Sequence, residues 1–423
     1  MTLFTTLRSI TSRTKLFLWA ALLPWLMTFG GCVERQVTSP IPQMETTADY
    51  LVRVLLLDNI RTCRISASSS VTILDPVTQA IQARFNTVEM PLDIQVSAGR
   101  ITIAGRPSTS SEVVISSDEP QIFSLNGDSY RGKLKLIMNS DANSFAAINL
   151  VPLEPYLAGV VGVEMPSYWE PAALRAQAIA ARTYCLYIKR HFGGNRSWDV
   201  KRTQANQAYN GIRGEAAQVW AAVNDTKGQV LVCRQSTGTE DIFPAYYSAI
   251  CGGHTESSKS VFGDYFEPLV GVPCSYCIDI AKPMQFYWNM VQFDKTDVKN
   301  RLIQSYPSLK QLGDITAITP TEQSNYDQYS RMTSIKLLGS TGKSDWLRAE
   351  DLRLTIDPTG RKFKSTICQI VDMGDKWALV SGRGYGHGVG MCQCGAQSMA
   401  RLGKTSTQIL YYYYPNSKIK NLY

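Results

Sequence analysis

The chain has 423 residues and a formal net charge of +8, with 43 Lys and Arg against 35 Asp and Glu. Hydrophobic residues make up 44% of it, enough for one large or two modest domains with a proper core. The basic residues are dispersed and form no run of five or six, so the charge does not indicate a nucleic-acid-binding protein. It fits an acidic polymer as partner, or a merely soluble basic surface.

The first 32 residues have the pattern of an export signal. Arg8, Arg13 and Lys15 precede an apolar run at 16–27, which is shorter than the about 20 apolar residues of a transmembrane helix. The run ends in FGGC, which is similar to a lipobox. We therefore expect an exported protein of the cell envelope, held at a membrane by a lipid on Cys32. A simple cleaved signal is the alternative.

Two further segments precede the region that carries chemistry. Residues 33–48 are polar and contain prolines, which is typical of a tether. Residues 49–150 contain short β-branched segments such as RITIAG and EVVISS, separated by Gly, Pro, Asp and Asn. This pattern predicts a mainly antiparallel β-rich region that leads to a core at 151–423.

Glu164 lies between two helical patterns in the stretch 151–190. The second helix is expected to begin either at Ser167, with Glu170 in capping-box spacing, or at Pro171 in the first helical position. A carboxyl group at such a junction is a candidate for a raised pKa, because desolvation disfavours the charged form. The alternative is a solvated Glu164, or one paired with a nearby arginine such as Arg175 or Arg182.

Several motifs in this region match one known family. The segments LEPYLAGVVGVEMP and PAALRAQAIAARTYC resemble the core signature of the SpoIID/LytB family, roughly LEDYL-x-GVV-x-EMP followed by EAL-x-AQA-x-AARTYA. The later segments NQAYNGI, GRGYGHGVGMCQCGAQSMA and ILYYYYP are also similar to family motifs. The family is known for lytic transglycosylases that cut the glycan strands of peptidoglycan. The resemblance implies that Glu164 is the catalytic acid.

The resemblance also points to residues that hold the sugar. Amide, phenol and imidazole groups bind hydroxyl-rich ligands by hydrogen bonds and ring stacking. For any one of these residues taken alone, a structural or capping role is the alternative. The predicted substrate-binding residues are Gln207, Tyr209, Tyr247, His387 and Gln393.

Cysteine and histidine form a metal-like pattern at Cys251, His254, Cys274 and Cys277. The ligand types and the two x2 spacings suit a closed, structural zinc site of Cys3His composition. A disulfide among the three cysteines, or free thiols, are the alternatives for an exported protein. Six other cysteines follow Cys32, and no pairing among them can be deduced from the sequence: Cys63, Cys185, Cys233, Cys368, Cys392 and Cys394.

These patterns lead to one main expectation and two alternatives. We expect an α+β protein in which helices around Glu164 sit on mostly antiparallel sheet. The resemblance implies cleavage of peptidoglycan glycan strands to 1,6-anhydro-muramic acid products, with no cofactor needed for the chemistry. A non-catalytic wall-binding protein that enhances a partner amidase is one alternative. A cysteine peptidase with Cys392 or Cys394 and His387 is the other.

Overall fold

The structure, a computed structural model, describes residues 50–235, 238–326 and 330–423. The predicted export signal, Cys32 and the tether lie outside these residues. Among the described residues, no helix has the length and apolar character that would let it cross a bilayer. Helices and mostly antiparallel sheets are both abundant, so the predicted α+β class is confirmed.

The β-rich region forms two sheets of antiparallel strands, as the alternating pattern predicts. In the strand Glu112–Ser117, for example, every second side chain is buried. The strands are β1 (Leu51–Ile60), β2 (Thr62–Ser66), β3 (Val71–Leu74), β4 (Ile81–Phe85), β5 (Leu92–Ser97), β6 (Arg100–Ile103), β7 (Arg106–Pro107), β8 (Glu112–Ser117), β9 (Ile122–Leu125), β10 (Asp128–Arg131), β11 (Lys133–Met138) and β12 (Phe145–Pro152).

One of these sheets leads directly to the helical centre. Its order is β13-β1-β12-β11-β8-β3-β4, where the short β13 (Val200–Lys201) runs parallel to β1. The other sheet has the order β10-β9-β2-β5-β6-β7. Strand β12 is buried along nearly its whole length and continues without a loop into the first helix. The position of that helix is therefore fixed by a central strand.

Two helices form the centre of the molecule, α1 (Leu153–Glu164) and α2 (Pro171–Phe192). Of the two predicted starts for the second helix, Pro171 is the one observed. The backbone N–H of the preceding Glu170 donates to the side chain of Gln397 at 2.9 Å. The helix α3 (Ala217–Asp225) and the strand β14 (Gln229–Arg234) follow in the chain.

The remaining chain completes the core and adds a module with its own hydrophobic cluster. That cluster extends from Trp288 to Leu379. The elements are β15 (Glu240–Ile242), β16 (Tyr247–Ser248), α4 (Ser258–Phe262), α5 (Pro283–Phe286), β17 (Tyr287–Trp288), β18 (Val291–Asp294), α6 (Lys295–Ser305), β19 (Ile315–Gln323), β20 (Met332–Gly339), β21 (Ser344–Arg348), α7 (Ala349–Ile356), β22 (Ile367–Asp372), β23 (Lys376–Arg383), β24 (Met391–Cys392), α8 (Gln393–Arg401), α9 (Ser406–Tyr413) and β25 (Lys418–Asn421).

Candidate active site

A cleft of about 600 Å³ opens beside the end of α1. Its size is that of a pocket for a small ligand or a sugar unit. It is built from α1, the loop after β13, the segment around β16, helix α7 of the module and the start of α8. The polar and aromatic residues that line it include Glu164, Tyr184, Gln204, Asn206, Tyr246, Tyr247, Phe262, Asp264, Glu350, Arg353, Tyr385, His387 and Gln393.

Glu164 is the last residue of α1 and is partly buried in the wall of this cleft. Its Oε1 accepts the backbone N–H of Ala208 at 3.0 Å, and its Oε2 accepts the side-chain amide of Gln393 at 3.2 Å. Burial raises the pKa of Glu164, while these two hydrogen bonds lower it, and the net shift is upward. The carboxyl therefore keeps its proton to a higher pH than an exposed glutamate.

The two arginines that could have paired with Glu164 are engaged with other carboxylates. Arg175 contacts Asp225 at 2.6 Å, and Arg182 contacts Glu154 at 2.6 Å. The alternative of an ion-paired Glu164 is therefore not observed for either arginine.

Close packing of α1 fixes the loop that carries Ala208. A Cβ atom on Gly162 would lie 1.9 Å from the carbonyl oxygen of Gly214, so only glycine lets the two segments approach this closely. Within the loop, the side chain of Asn206 accepts the backbone N–H of Lys201 at 2.9 Å. The loop that carries the N–H of Ala208 is thus fixed on one side by the contact of Asn206 with Lys201 and on the other by the packing of Gly214 against Gly162.

Gln207 and Tyr209 do not line the cleft, and their predicted contact with the sugar is corrected. The amide of Gln207 is used inside the protein: it accepts from Tyr156 at 3.0 Å and donates to Tyr247 at 2.9 Å. The hydroxyl of Tyr209 donates to Asn149 at 2.9 Å. Both side chains are only 1% exposed. These residues therefore pack behind the wall of the cleft, where Gln207 contacts the cleft residue Tyr247.

Tyr247, His387 and Gln393 do reach the cleft. Burial lowers the pKa of His387 to about 4, so the imidazole is neutral near pH 7. Its Nδ1 accepts the backbone N–H of Val389 at 3.0 Å, which leaves the ring proton on Nε2. The amide of Gln393 contacts Glu164 itself. Gln393 therefore positions the acid as well as lining the site.

The cleft contains two further carboxylates, Asp264 and Glu350, that the sequence did not single out. Glu350 is held in a buried ion pair with Arg353 at 2.6 Å, and its pKa is lowered. Asp264 accepts the hydroxyl of Tyr246 at 3.0 Å, and burial raises its pKa. Asp264 follows Gly263, whose φ of 85° ends α4. No motif marks either residue, because their shared location is created by folding.

The predicted zinc ligands come together only in part. Among the described residues, the Sγ atoms of Cys251, Cys274 and Cys277 group with that of Cys392, all within 4.8 Å of one another. His254 is not in this group. Its Nδ1 lies 2.6 Å from the carbonyl oxygen of Thr255, and its ring stacks on Tyr326. The predicted grouping of His254 with the three cysteines is therefore wrong, and the fourth side chain of the group is Cys392.

The geometry does not support a cysteine peptidase. Cys392 belongs to the buried thiol group, and Cys394 is 8% exposed with its pKa raised to about 12 by burial. Neither thiol lines the cleft that contains His387. A cysteine nucleophile needs an accessible thiolate, which neither residue provides.

The segment that contains Glu164 also matches a known protein family in sequence. The family model for SpoIID, described as stage II sporulation protein, matches residues 141–233, which contain α1, α2 and Glu164. An uncharacterised protein of Brachyspira hyodysenteriae is 32% identical over 292 residues, which are 69% of this chain and 72% of that protein. The chain belongs to the SpoIID family.

Two named relatives of this SpoIID-family protein come from Bacillus subtilis. The amidase enhancer is 27% identical over 331 residues, which are 70% of this chain and 45% of that longer protein. Stage II sporulation protein D is 28% identical over 293 residues, 64% of this chain and 76% of the relative.

Proposed function

We propose that this SpoIID-family protein is a peptidoglycan lytic transglycosylase with Glu164 as its general acid–base. The observation that carries the proposal is a partly buried carboxyl group with a raised pKa in the wall of a sugar-sized cleft. A proton donor near neutral pH is what protonation of a glycosidic oxygen requires.

The chemistry needs one carboxyl group that acts twice. Glu164 gives its proton to the glycosidic oxygen while the bond between that oxygen and the anomeric carbon of muramic acid breaks. The 6-hydroxyl of the same muramic acid then attacks the anomeric carbon, and the carboxylate of Glu164 takes the hydroxyl proton. The products are a 1,6-anhydro-muramic acid end and a free hydroxyl on the neighbouring sugar, and Glu164 is protonated again.

The partners of Glu164 suit both halves of this cycle. The N–H of Ala208 and the amide of Gln393 point at the carboxylate oxygens and stabilise the charged form after the proton has left. Burial acts in the opposite direction and favours the protonated form. The two hydrogen bonds therefore limit the upward shift that burial gives to the pKa of Glu164.

A non-catalytic role is the second candidate, and one observation favours it. The relative from Bacillus subtilis that aligns over 70% of this chain is named amidase enhancer. In that reading the cleft binds a glycan strand without cutting it and a cell-wall amidase is the partner.

The location proposed for the protein follows from its first 32 residues. We infer export, lipidation of Cys32 and attachment to a membrane that faces peptidoglycan. Mass spectrometry of the mature N-terminus tests this directly: a diacylglyceryl adduct on Cys32 is expected, and an unmodified N-terminus at another residue contradicts it.

Product analysis tests the enzymatic function. The protein is incubated with intact peptidoglycan and with glycan strands stripped of their peptides, and the fragments are examined by mass spectrometry. We expect 1,6-anhydro ends from the wild type, and a loss of roughly 10²- to 10⁴-fold in rate for Glu164→Gln. Glu170→Gln, which changes an exposed carboxyl six residues away, is the matched control.

Three outcomes of this experiment have distinct meanings. Reducing muramic acid ends show hydrolysis instead of transglycosylation. Undiminished cleavage by Glu164→Gln removes Glu164 from the mechanism. Binding of glycan with no cleavage, together with faster digestion by an added amidase, supports the enhancer role.

A further inference from the structure

The four buried cysteines lie outside the cleft and have no part in the reaction described above. Their exposed fractions are 0% for Cys251 and Cys392 and 1% for Cys274 and Cys277. We propose that Cys251, Cys274, Cys277 and Cys392 bind one zinc ion in a closed tetrahedral site. The fourth ligand is contributed by the glycine-rich C-terminal motif, 115 positions after Cys277 in the chain.

The spacing of the sulfur atoms fits a metal better than a disulfide. A tetrahedral zinc with bonds of about 2.3 Å to sulfur has neighbouring sulfurs about 3.8 Å apart. The Sγ atoms of Cys251 and Cys277 are 3.7 Å apart. A disulfide requires about 2.05 Å between sulfurs and joins two cysteines, whereas here four sulfurs surround one centre.

The surroundings of the thiols are those of a thiolate–metal site. The backbone N–H of Cys251 donates to the Sγ of Cys392 at 3.3 Å, and the hydroxyl of Tyr413 lies 3.1 Å from the Sγ of Cys274. The buried guanidinium of Arg331 donates to the carbonyl oxygen of Cys251 at 3.2 Å. Four thiolates around a divalent ion leave a net negative charge, which hydrogen-bond donors and a nearby cation stabilise.

A glycine leaves room for this arrangement. A Cβ atom on Gly395 would lie 1.9 Å from the Oη of Tyr413 and 2.8 Å from the Sγ of Cys274. Gly395 is in the first turn of α8, three residues after Cys392. Glycine at this position lets α8 lie directly against the thiol group.

The proposed metal ties together two segments that the site depends on. Cys251 follows β16, which carries Tyr247, and Ser248 of that strand pairs in parallel with Cys392 of β24. The next residue, Gln393, donates to Glu164. The metal is therefore structural: four protein ligands leave no position for a reactive water, and the ion fixes the segment that positions Gln393.

Metal analysis of the protein tests the site without any assay of activity. The protein is purified without chelators, and zinc is measured by elemental analysis; we expect one ion per chain. Exchange with cobalt should give the charge-transfer absorption of a tetrahedral site with four thiolates. Cys392→Ser should lose the ion or bind it weakly.

The chain offers two matched controls. Cys394→Ser changes a buried cysteine two residues from the proposed ligand, and His254→Ala removes the histidine of the sequence-based set. Both variants should keep one zinc per chain and the cobalt spectrum of the wild type. Chelation should lower the melting temperature of the wild type and of both controls.

Two results would overturn the site: a metal-free wild type with a mapped disulfide among the four cysteines, or full zinc content in Cys392→Ser. If Cys392→Ser does not fold, Cys392→His replaces it, and a cobalt spectrum with reduced thiolate absorption is then expected. An unchanged spectrum would remove Cys392 from the ligands. The effect of the metal on the position of Gln393 rests on the proposed function, whereas the zinc content does not. A failure of the zinc site can therefore be distinguished from a failure of the proposed function.

Discussion

The side-chain amide of Gln393 donates to Oε2 of Glu164 at 3.2 Å, across 229 positions of the chain. The contact joins the end of α1 to the start of α8, and so joins the EMP motif to the glycine-rich C-terminal motif. It lowers the pKa of Glu164 against the effect of burial. The strength of the candidate acid therefore depends on a residue that is remote in sequence.

Replacing Gln393 should change the pH dependence of cleavage. In Gln393→Ala the hydrogen bond to the carboxylate is lost, so the pKa of Glu164 rises further. The pH above which activity falls should move upward, and the maximal rate should drop because the carboxylate intermediate is less stabilised. Rate–pH profiles measure both effects. Gln311→Ala, at an exposed position, should leave the profile unchanged; a downward shift in Gln393→Ala contradicts the assigned contact.

Glu164 should also make stability depend on pH. Its folded-state pKa is raised above the unfolded value, so its contribution is fully present below the unfolded pKa and is lost as pH rises through the folded pKa. The free energy of unfolding of the wild type should decrease across that interval relative to Glu164→Gln. Urea titrations at a series of pH values measure the difference. Parallel curves for the two proteins would show that the pKa of Glu164 is not raised.

The buried ion pair of Arg182 and Glu154 should matter far more for stability than the exposed pair of Arg175 and Asp225. Arg182 is fully buried and also donates to the carbonyl oxygen of Gln229. Arg182→Leu removes the cation that pairs with Glu154, which keeps only the hydrogen bond from the hydroxyl of Tyr423, and should cost about 3–5 kcal/mol. Arg175→Leu should change the free energy of unfolding by less than about 1 kcal/mol. Equal losses in denaturant titrations would contradict this ranking.

Gly162 should tolerate no side chain. The Cβ of Gly162→Ala would lie 1.9 Å from the carbonyl oxygen of Gly214, so α1 and the neighbouring turn must separate. Such overpacking costs about 1–3 kcal/mol, and it should also displace the N–H of Ala208 from Glu164. Thermal unfolding and glycan cleavage measure the two effects. Gly194→Ala, where a Cβ has no heavy atom within 4 Å, is the control and should be close to neutral.

Replacing Asp264 distinguishes a transglycosylase mechanism from a hydrolase mechanism. Hydrolytic glycosidases use two carboxyl groups. Besides Glu164, the cleft contains Glu350, which is paired with Arg353, and Asp264, which is the candidate for a second catalytic carboxyl. If the 6-hydroxyl of the substrate is the nucleophile, Asp264→Asn should still form 1,6-anhydro ends, with at most a modest loss from the altered contact to Tyr246. A loss as large as that of Glu164→Gln, with reducing ends in the wild type, would instead assign Asp264 to water activation.

The sequence by itself predicted the secondary-structure elements and the candidate acid. Alternation of β-branched residues predicted the antiparallel sheets, helical periodicity predicted α1 and α2, and the resemblance of the EMP motif to the family signature singled out Glu164. The patterns that predict helices and strands are local, because side-chain periodicity and the residues that begin or end an element act over a few positions. The motifs also marked Tyr247, His387 and Gln393, which lie in the cleft, but they equally marked Gln207 and Tyr209, which do not.

Only the tertiary structure decided which marked residues share a site. Burial of Gln207 and Tyr209 follows from the packing of α1 against the loop behind it, a contact that no spacing encodes. Cys392, and not His254, groups with the three cysteines because β16 pairs in parallel with β24, which brings together segments more than 100 positions apart. Asp264 and Glu350 reach the cleft for the same reason. Local pattern specifies what each segment becomes, whereas long-range packing selects which side chains meet.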